Sequence, residues 1–333
     1  MFTQTPLRSL VDLLTGPHGV DRYTELVSPT WTRDEARAEV VSVTRQTPRS
    51  VTLTLRPNRA FTGFAAGQHI NLSVEIDGRR VTRPYSPASS QHRRDGLVEL
   101  TVGLHDGGLV STFLRSAARP GLVVGLDGVG GDFVLPADRP ARIVLVSGGS
   151  GITPVLSMLR TLRDEAYAGS VTHIHYARTA ADVPYREELE RVCLTREGDA
   201  RFGPGSVDTA GAEVFVCGPP SLVDAVHEHC ENVHSESFVP PVFVIPANPS
   251  GGRVAFAGSG VETTDDGRSL LEQALAAGLA PEHGCRMGIC RSCTCRKTSG
   301  AVRNLITGAV STAGEEDVQI CVSVPLGDVE LAI

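Results

Sequence analysis

A chain of 333 residues with 41% hydrophobic and 21% charged side chains is long enough for two or three cores and has the balance of an ordinary globular protein. Its net charge of −7, with no stretch that interleaves basic and aromatic residues, argues against a nucleic-acid partner. No apolar run reaches the length of a membrane span and the segment MFTQTPLRSL lacks the regions of a signal peptide, so the expected location is the cytoplasm, where eight cysteines would stay reduced.

Residues 1–37 read as an N-terminal extension. Leu7, Leu10, Val11 and Leu14 keep helical spacing and predict one short amphipathic helix, stopped by Gly16 and Pro17 and docked on its own protein. From 38 to 138 the pattern is all β. VVSVTRQT, SVTLTLRP, HINLSVEIDG and VELTVGL are alternating or apolar runs cut by turn residues, which predicts a small antiparallel β-barrel.

Two motifs in that segment carry chemistry. In Arg83-Pro84-Tyr85-Ser86 a guanidinium can hold a phosphate, a phenol ring can cover a flat heterocycle and a hydroxyl can bond its edge. Further on, Gly107 and Gly108 precede Val110, Ser111 and Thr112 just ahead of a short helix, where backbone N–H groups form a phosphate seat. Together they predict a flavin nucleotide draped over the barrel. Alone, the tetrapeptide is no more than a stretch of edge strand.

At Ala141 the period changes. Strands and helices alternate through residues 139–234, the sign of an α/β, doubly wound parallel sheet. Ser147-Gly148-Gly149-Ser150-Gly151-Ile152-Thr153-Pro154 follows a buried strand and opens a helix. Its glycines admit a pyrophosphate, Thr153 is expected to cap, and Pro154 suits the first turn. Cys217-Gly218-Pro219-Pro220 adds a second loop on the same carboxyl edge, where such sheets bind ligands. The stretch between Cys193 and Cys217 is short for a full strand–helix–strand repeat. Arg178 ends the second strand and Arg186 follows, which favours a 2′-phosphate and hence NADPH over NADH. His173 and His175 read as ordinary strand residues.

Residues 235–250, with four prolines, predict a stiff linker, and 251–333 an α+β unit. That unit holds Cys285, Cys290 and Cys293 in EHGCRMGICRSC and Cys321 farther on. C-x4-C-x2-C with a distant fourth cysteine is the ligand spacing of a plant-type [2Fe–2S] centre, whereas structural zinc sites usually use two separate cysteine knuckles. Arg286, Arg291, Arg296 and Lys297, the last being the only lysine of the chain, predict a basic patch around that loop.

These elements, in this order, resemble the ferredoxin–NADP reductase-like flavoproteins that carry a C-terminal plant-type ferredoxin domain, the reductase components of oxygenases, hydroxylases and acyl-lipid desaturases. The resemblance runs from about residue 38 to 333. It implies a multidomain chain: a β-barrel flavin domain, an NAD(P)-binding domain and a β-grasp ferredoxin domain. It also implies FAD in preference to FMN, a [2Fe–2S] cluster and NAD(P)H. By the same resemblance Arg83, Pro84, Tyr85 and Ser86 hold flavin phosphate and ring, and Gly108, Leu109, Val110 and Ser111 its pyrophosphate. Gly149, Ser150, Gly151, Ile152, Thr153 and Pro154, with Arg178, Gly218 and Pro219, bind the dinucleotide, and Cys217 stands beside the nicotinamide. Tyr85, Ser86 and Cys217 are thus the expected catalytic residues and the four cysteines the metal ligands. The implied partner is an iron-containing oxygenase, hydroxylase or acyl desaturase, the last reached by peripheral contact with a membrane-bound acceptor. Two rival readings stay open here: a self-contained NAD(P)H oxidase or quinone reductase, and a redox sensor that reduces no partner.

Overall fold

The computed structural model describes Thr24 and residues 28–333; the helix expected around Leu7 and Leu14 lies outside them. The chain divides into two compact units, one running to Arg80 and resuming over Tyr85–Phe238, the other made of Val81–Pro84 and Val239–Ile333.

Six strands come first in the chain, β1 (Arg37–Thr47), β2 (Ser50–Pro57), β3 (His69–Ile76), β4 (Arg79–Tyr85), β5 (Val98–Gly103) and β6 (Val123–Gly130), all in the first unit except Val81–Pro84 of β4. They form an antiparallel sheet in the order β4-β3-β6-β1-β2-β5. A bridge between Pro87 and Leu100 brings the chain just after β4 against β5. Edge position explains how β4 accommodates Pro84, which has no N–H for a ladder. Helix α1 (Leu109–Ala117) lies between β5 and β6 in the chain.

A parallel sheet follows, built from β7 (Arg142–Gly148), β8 (Ser170–Ala177), β9 (Arg191–Leu194), β10 (Glu213–Cys217) and β11 (Val233–Glu236) in the order β11-β10-β7-β8-β9. Helix α2 (Ile152–Asp164) joins β7 to β8, and α3 (Pro220–His229) joins β10 to β11. The short stretch before Cys217 contains no helix. Instead Phe202 turns inward and meets Tyr176 edge-on at 6.3 Å, filling the space a helix would cover. Strand β11 runs two residues past the boundary expected at residue 234.

The two sheets of this unit share one core. Ala66, Ala88, Phe133 and Leu135 pack in the same cluster as Leu145, Val155, Met158 and Phe215. Tyr185 then pins one sheet to the other. It adopts a left-handed φ of 54°, rare for an aromatic residue, and its hydroxyl bonds Thr101 at 2.5 Å and Thr52 at 3.3 Å. Arg160 lies 5.0 Å from its ring and holds Glu99 at 2.7 Å and Glu188 at 2.5 Å. Each of those groups is satisfied by a partner, which is what allows charges to sit at a half-buried junction.

The second unit holds β12 (Arg253–Phe256), β13 (Val261–Thr264), helix α4 (Leu270–Ala276), β14 (Thr294–Asn304), β15 (Val310–Ser311), β16 (Glu316–Gln319) and β17 (Ser323–Leu331). Sheet order is β13-β12-β17-β14-β15, with β16 paired to β14. Ser269 caps α4 by accepting the Glu272 N–H, and Leu270, Leu271 and Ala274 bury against Val254, Phe256 and Leu331.

Candidate functional site

The flavin motif ends β4. Ser86 is 3% exposed and its hydroxyl has no hydrogen-bond partner, an orphan that a flat polar ring edge would satisfy. Arg83 donates to the Thr82 carbonyl at 2.8 Å. The expected phosphate seat is shifted: α1 starts at Leu109, so Leu109, Val110 and Ser111 form its first turn and are not a loop ahead of it. Gly108 is the N-cap and no side chain caps the turn, so the first N–H groups have no intrahelical partner and face outward from the helix end. Ser111 is turned inward, donating to the Gly108 carbonyl at 3.2 Å and accepting from the His105 N–H at 3.3 Å. These groups fit a nucleotide phosphate.

The dinucleotide loop is formed by close backbone packing. A Cβ on Gly151 would stand 2.2 Å from the Cys217 carbonyl oxygen, and one on Gly148 2.7 Å from Leu222. The two loops foreseen on the carboxyl edge therefore touch, leaving Gly149 and Ser150 exposed at the tip. Thr153 does not cap. It lies inside α2, buried, and donates back to the Ser150 carbonyl at 3.2 Å; Gly151 is the N-cap. Ile152 and Pro154 are buried beside it. Gly218 is buried between Gly148 and Leu222, and Pro219 is the N-cap of α3.

Cys217 is fully buried, and burial pushes its thiol well up. Register across the sheet sets Glu236, Cys217, Ser147 and His175 side by side. Glu236, 4.0 Å from the Cys217 sulfur, is lifted to about 7 by burial. Ser147 Oγ hydrogen-bonds His173 at 3.0 Å and His175 at 2.9 Å, and burial holds those rings down to about 4 and about 3. Glu236 escaped sequence reasoning because it falls where a proline linker was expected; only strand pairing brings it to Cys217. Arg178 is exposed and within 3.9 Å of Asp182. Its carbonyl accepts the Arg196 N–H, and Arg201 donates to the neighbouring Thr195 carbonyl, so three arginines gather on this edge. Arg186 instead donates to the Leu189 carbonyl.

In the second unit the cysteine loop is wound by left-handed residues, Arg286 and Arg291 at φ 57° and Gly288 at 71°. The Cys285 N–H points at the Cys290 sulfur (3.2 Å), and the Met287 and Cys290 N–H groups at the Cys285 sulfur (3.3 Å each). A Cβ on Gly284 would stand 2.6 Å from the Cys290 sulfur. The thiols stand two and two. Cys285 donates to Cys290, which pulls Cys290 down and pushes Cys285 up; Cys321 does the same to Cys293. Among the described residues no three such side chains surround a single metal position. Two pairs of soft thiols with N–H groups aimed at their sulfurs fit a two-iron cluster. The basic patch is smaller than expected. Lys297 is 0% exposed and Arg296 is paired with Glu315 and Asp317, which leaves exposed Arg291 and exposed Arg286, the latter hydrogen-bonded to His283 at 3.2 Å.

Comparison with known proteins agrees with this geometry. Residues 38–135 match the oxidoreductase FAD-binding domain, 145–204 the oxidoreductase NAD-binding domain and 254–326 the 2Fe-2S iron-sulfur cluster binding domain. The chain is 35% identical to an NADPH oxidoreductase of Mycobacterium tuberculosis, covering 98% of this chain and 92% of the relative. It is 29% identical to the stachydrine N-demethylase reductase subunit of Rhizobium meliloti, covering 88% and 95%. Among solved structures, phthalate dioxygenase reductase shares the fold at a TM-score of 0.58 and 22% identity, covering 89% of this chain and 97% of that one. The chain is an NAD(P)H-dependent oxidoreductase of the ferredoxin–NADP reductase-like family, built to carry FAD and, in its C-terminal domain, a [2Fe–2S] cluster.

Proposed function

We propose that this chain is the reductase component of an oxygenase system, taking a hydride from NADPH and passing single electrons to an iron-containing oxygenase. The observation that carries this reading is the presence, in one chain, of a dinucleotide edge and a flavin seat sharing one core with a thiol-lined ferredoxin unit attached. A self-contained oxidase has no use for that last unit, and a sensor none for the dinucleotide loop. Oxygenase reductase subunits among the relatives support the acceptor class.

In this reading Arg83 and the first turn of α1 bind the flavin phosphates, Tyr85 covers its ring and Ser86 holds its edge. The loop Gly149–Pro154, Gly218 and Pro219 position the dinucleotide, and the buried Cys217 excludes water beside the nicotinamide. Arg178, Arg196 and Arg201 receive the 2′-phosphate, which favours NADPH. Cys285 with Cys290 and Cys293 with Cys321 hold the two irons. When bound, the cofactors supply the redox chemistry; the protein's share is placement and exclusion of water. The acceptor is a hydroxylase, Rieske-type oxygenase, P450 or acyl desaturase; among the described residues no helix is long and apolar enough to cross a membrane.

The test is an anaerobic addition of NADPH to the purified holoprotein. Flavin bleaching followed by loss of the cluster's visible bands is expected. An untouched cluster beside a fully reduced flavin would overturn the relay.

A further inference from the structure

The only lysine of the chain is also among its most deeply buried side chains. The Lys297 ammonium donates to the Gly300 carbonyl at 2.8 Å and to the Ala313 carbonyl, and it pairs with Glu316 Oε1 at 3.1 Å. Three donors meet three acceptors. Glu316 in turn accepts from Ser311 Oγ, and its carboxyl is held below the usual range by that bond and by Lys297. One ammonium thus ties the start of β14 to the irregular stretch of that strand at Gly300 and to the segment that leads into β16.

These segments carry the second thiol pair. Cys293 immediately precedes β14, and Cys321 comes two residues after β16 ends. The ladder between them is four residue pairs long, from Lys297–Glu316 to Thr294–Gln319, and beyond it the Ile320 N–H donates to the Cys293 carbonyl at 3.2 Å. At its upper end Gln319 Nε2 donates to the Gly288 carbonyl of the cysteine loop at 2.7 Å. At its lower end β14 is irregular: its pairing with β17 shifts register between Lys297 and Ser299 and again between Gly300 and Val302. So short a ladder, ending at two bulges, is weakly specified by its own hydrogen bonds, and a slip of one residue would turn every side chain to the opposite face.

A buried ion pair seldom adds net stability, since apolar residues in place of both partners are often neutral or better, although losing one partner alone is costly; its best-attested use is to fix a register. We propose that Lys297 is a positioning residue that sets the β14–β16 register and thereby delivers Cys321 to Cys293. A register slipped by one would leave the ammonium without Glu316 and would carry Cys321 out of reach. The proposal rests on the assignment of Cys293 and Cys321 as ligands.

Full-length Lys297→Met, Glu316→Gln and Cys321→Ser proteins are to be compared with the parent for iron per flavin, the EPR signal of the reduced cluster and thermal unfolding of the iron-free chain. Lys297→Met is expected to unfold below the parent temperature, since it leaves Glu316 and two carbonyls without their donor. It is also expected to hold less than half the iron per flavin even among chains that stay folded, and Glu316→Gln to give a heterogeneous EPR signal. Parent iron content and signal in Lys297→Met overturn the proposal, and so does a lowered melting temperature with full iron per folded chain, the mark of a purely structural role. Should Lys297→Met fail to fold, Glu316→Gln decides: a parent EPR signal overturns the proposal and a heterogeneous one upholds it. A Cys321→Ser protein that keeps its cluster overturns the ligand assignment instead.

Discussion

The two units shape their binding loops by opposite means. In the first, the dinucleotide loop is formed by polypeptide alone: Gly151 lies against the Cys217 carbonyl with no room for a methyl group. In the second, the cysteine loop is wound by left-handed residues and by N–H groups aimed at sulfur. A loop set by backbone packing keeps its form without ligand. One set by contacts to thiols depends on the chemical state of those thiols.

The largest effect that would break or sustain this contrast is at the ligand loop. Cys290→Ser removes the sulfur to which the Cys285 N–H donates, and it should abolish the iron–sulfur chromophore while leaving NADPH-dependent flavin bleaching intact. An unchanged EPR signal would remove Cys290 from the ligand set.

Acid should separate the units next. His173 and His175 titrate in the folded chain at about 4 and about 3, below the free value of 6.5, because burial disfavours their charged form. The unfolded chain therefore binds protons first. The stability these rings contribute is whole above pH 6.5 and is lost as pH falls through their folded values, at up to about 1.4 kcal/mol per pH unit for each. The second unit contains only His283. Glu236 on the same sheet, raised to about 7, gains stability over the window from pH 7 to 5, but one carboxyl opposes two rings. Hydrogen exchange between pH 7 and 5 should therefore still show the parallel sheet opening before the ferredoxin unit; the reverse order would refute this account.

Gly151→Ala sharpens the contrast within the first unit. The methyl group would force apart the two loops of the carboxyl edge, at a cost of about 1–3 kcal/mol, and weaken dinucleotide binding with flavin content unchanged. Titration with NADPH checks it. Smallest is Arg196→Ala, expected to raise the KM for NADPH about tenfold, the worth of one charge-assisted hydrogen bond, and to leave that for NADH unaltered.

Motifs that act locally were legible. The first three cysteines of the ligand set, the glycine loop and the tetrapeptide at Arg83 each keep their groups within a few residues, and β1, β2, β3 and β5 follow their alternation. What pairing alone assembles was not legible. Glu236 meets Cys217 through β10 and β11, and Arg196 meets Arg178 through the extension of β8 beside β9. Charges were misjudged for the same reason: a run of Arg296 and Lys297 reads as a basic surface until β16 supplies Glu315, Glu316 and Asp317.

The burial of Lys297 has a chemical consequence for the whole molecule. With one lysine in the sequence and that one at 0% exposure, the folded chain offers no side-chain amine to solvent. On a side chain, acetylation, ubiquitin transfer to an amine and amine-reactive dyes need a free ε-amino group, so each can reach one only after the ferredoxin unit has opened. A dye adduct at Lys297 would thus serve as a single-site record of that opening.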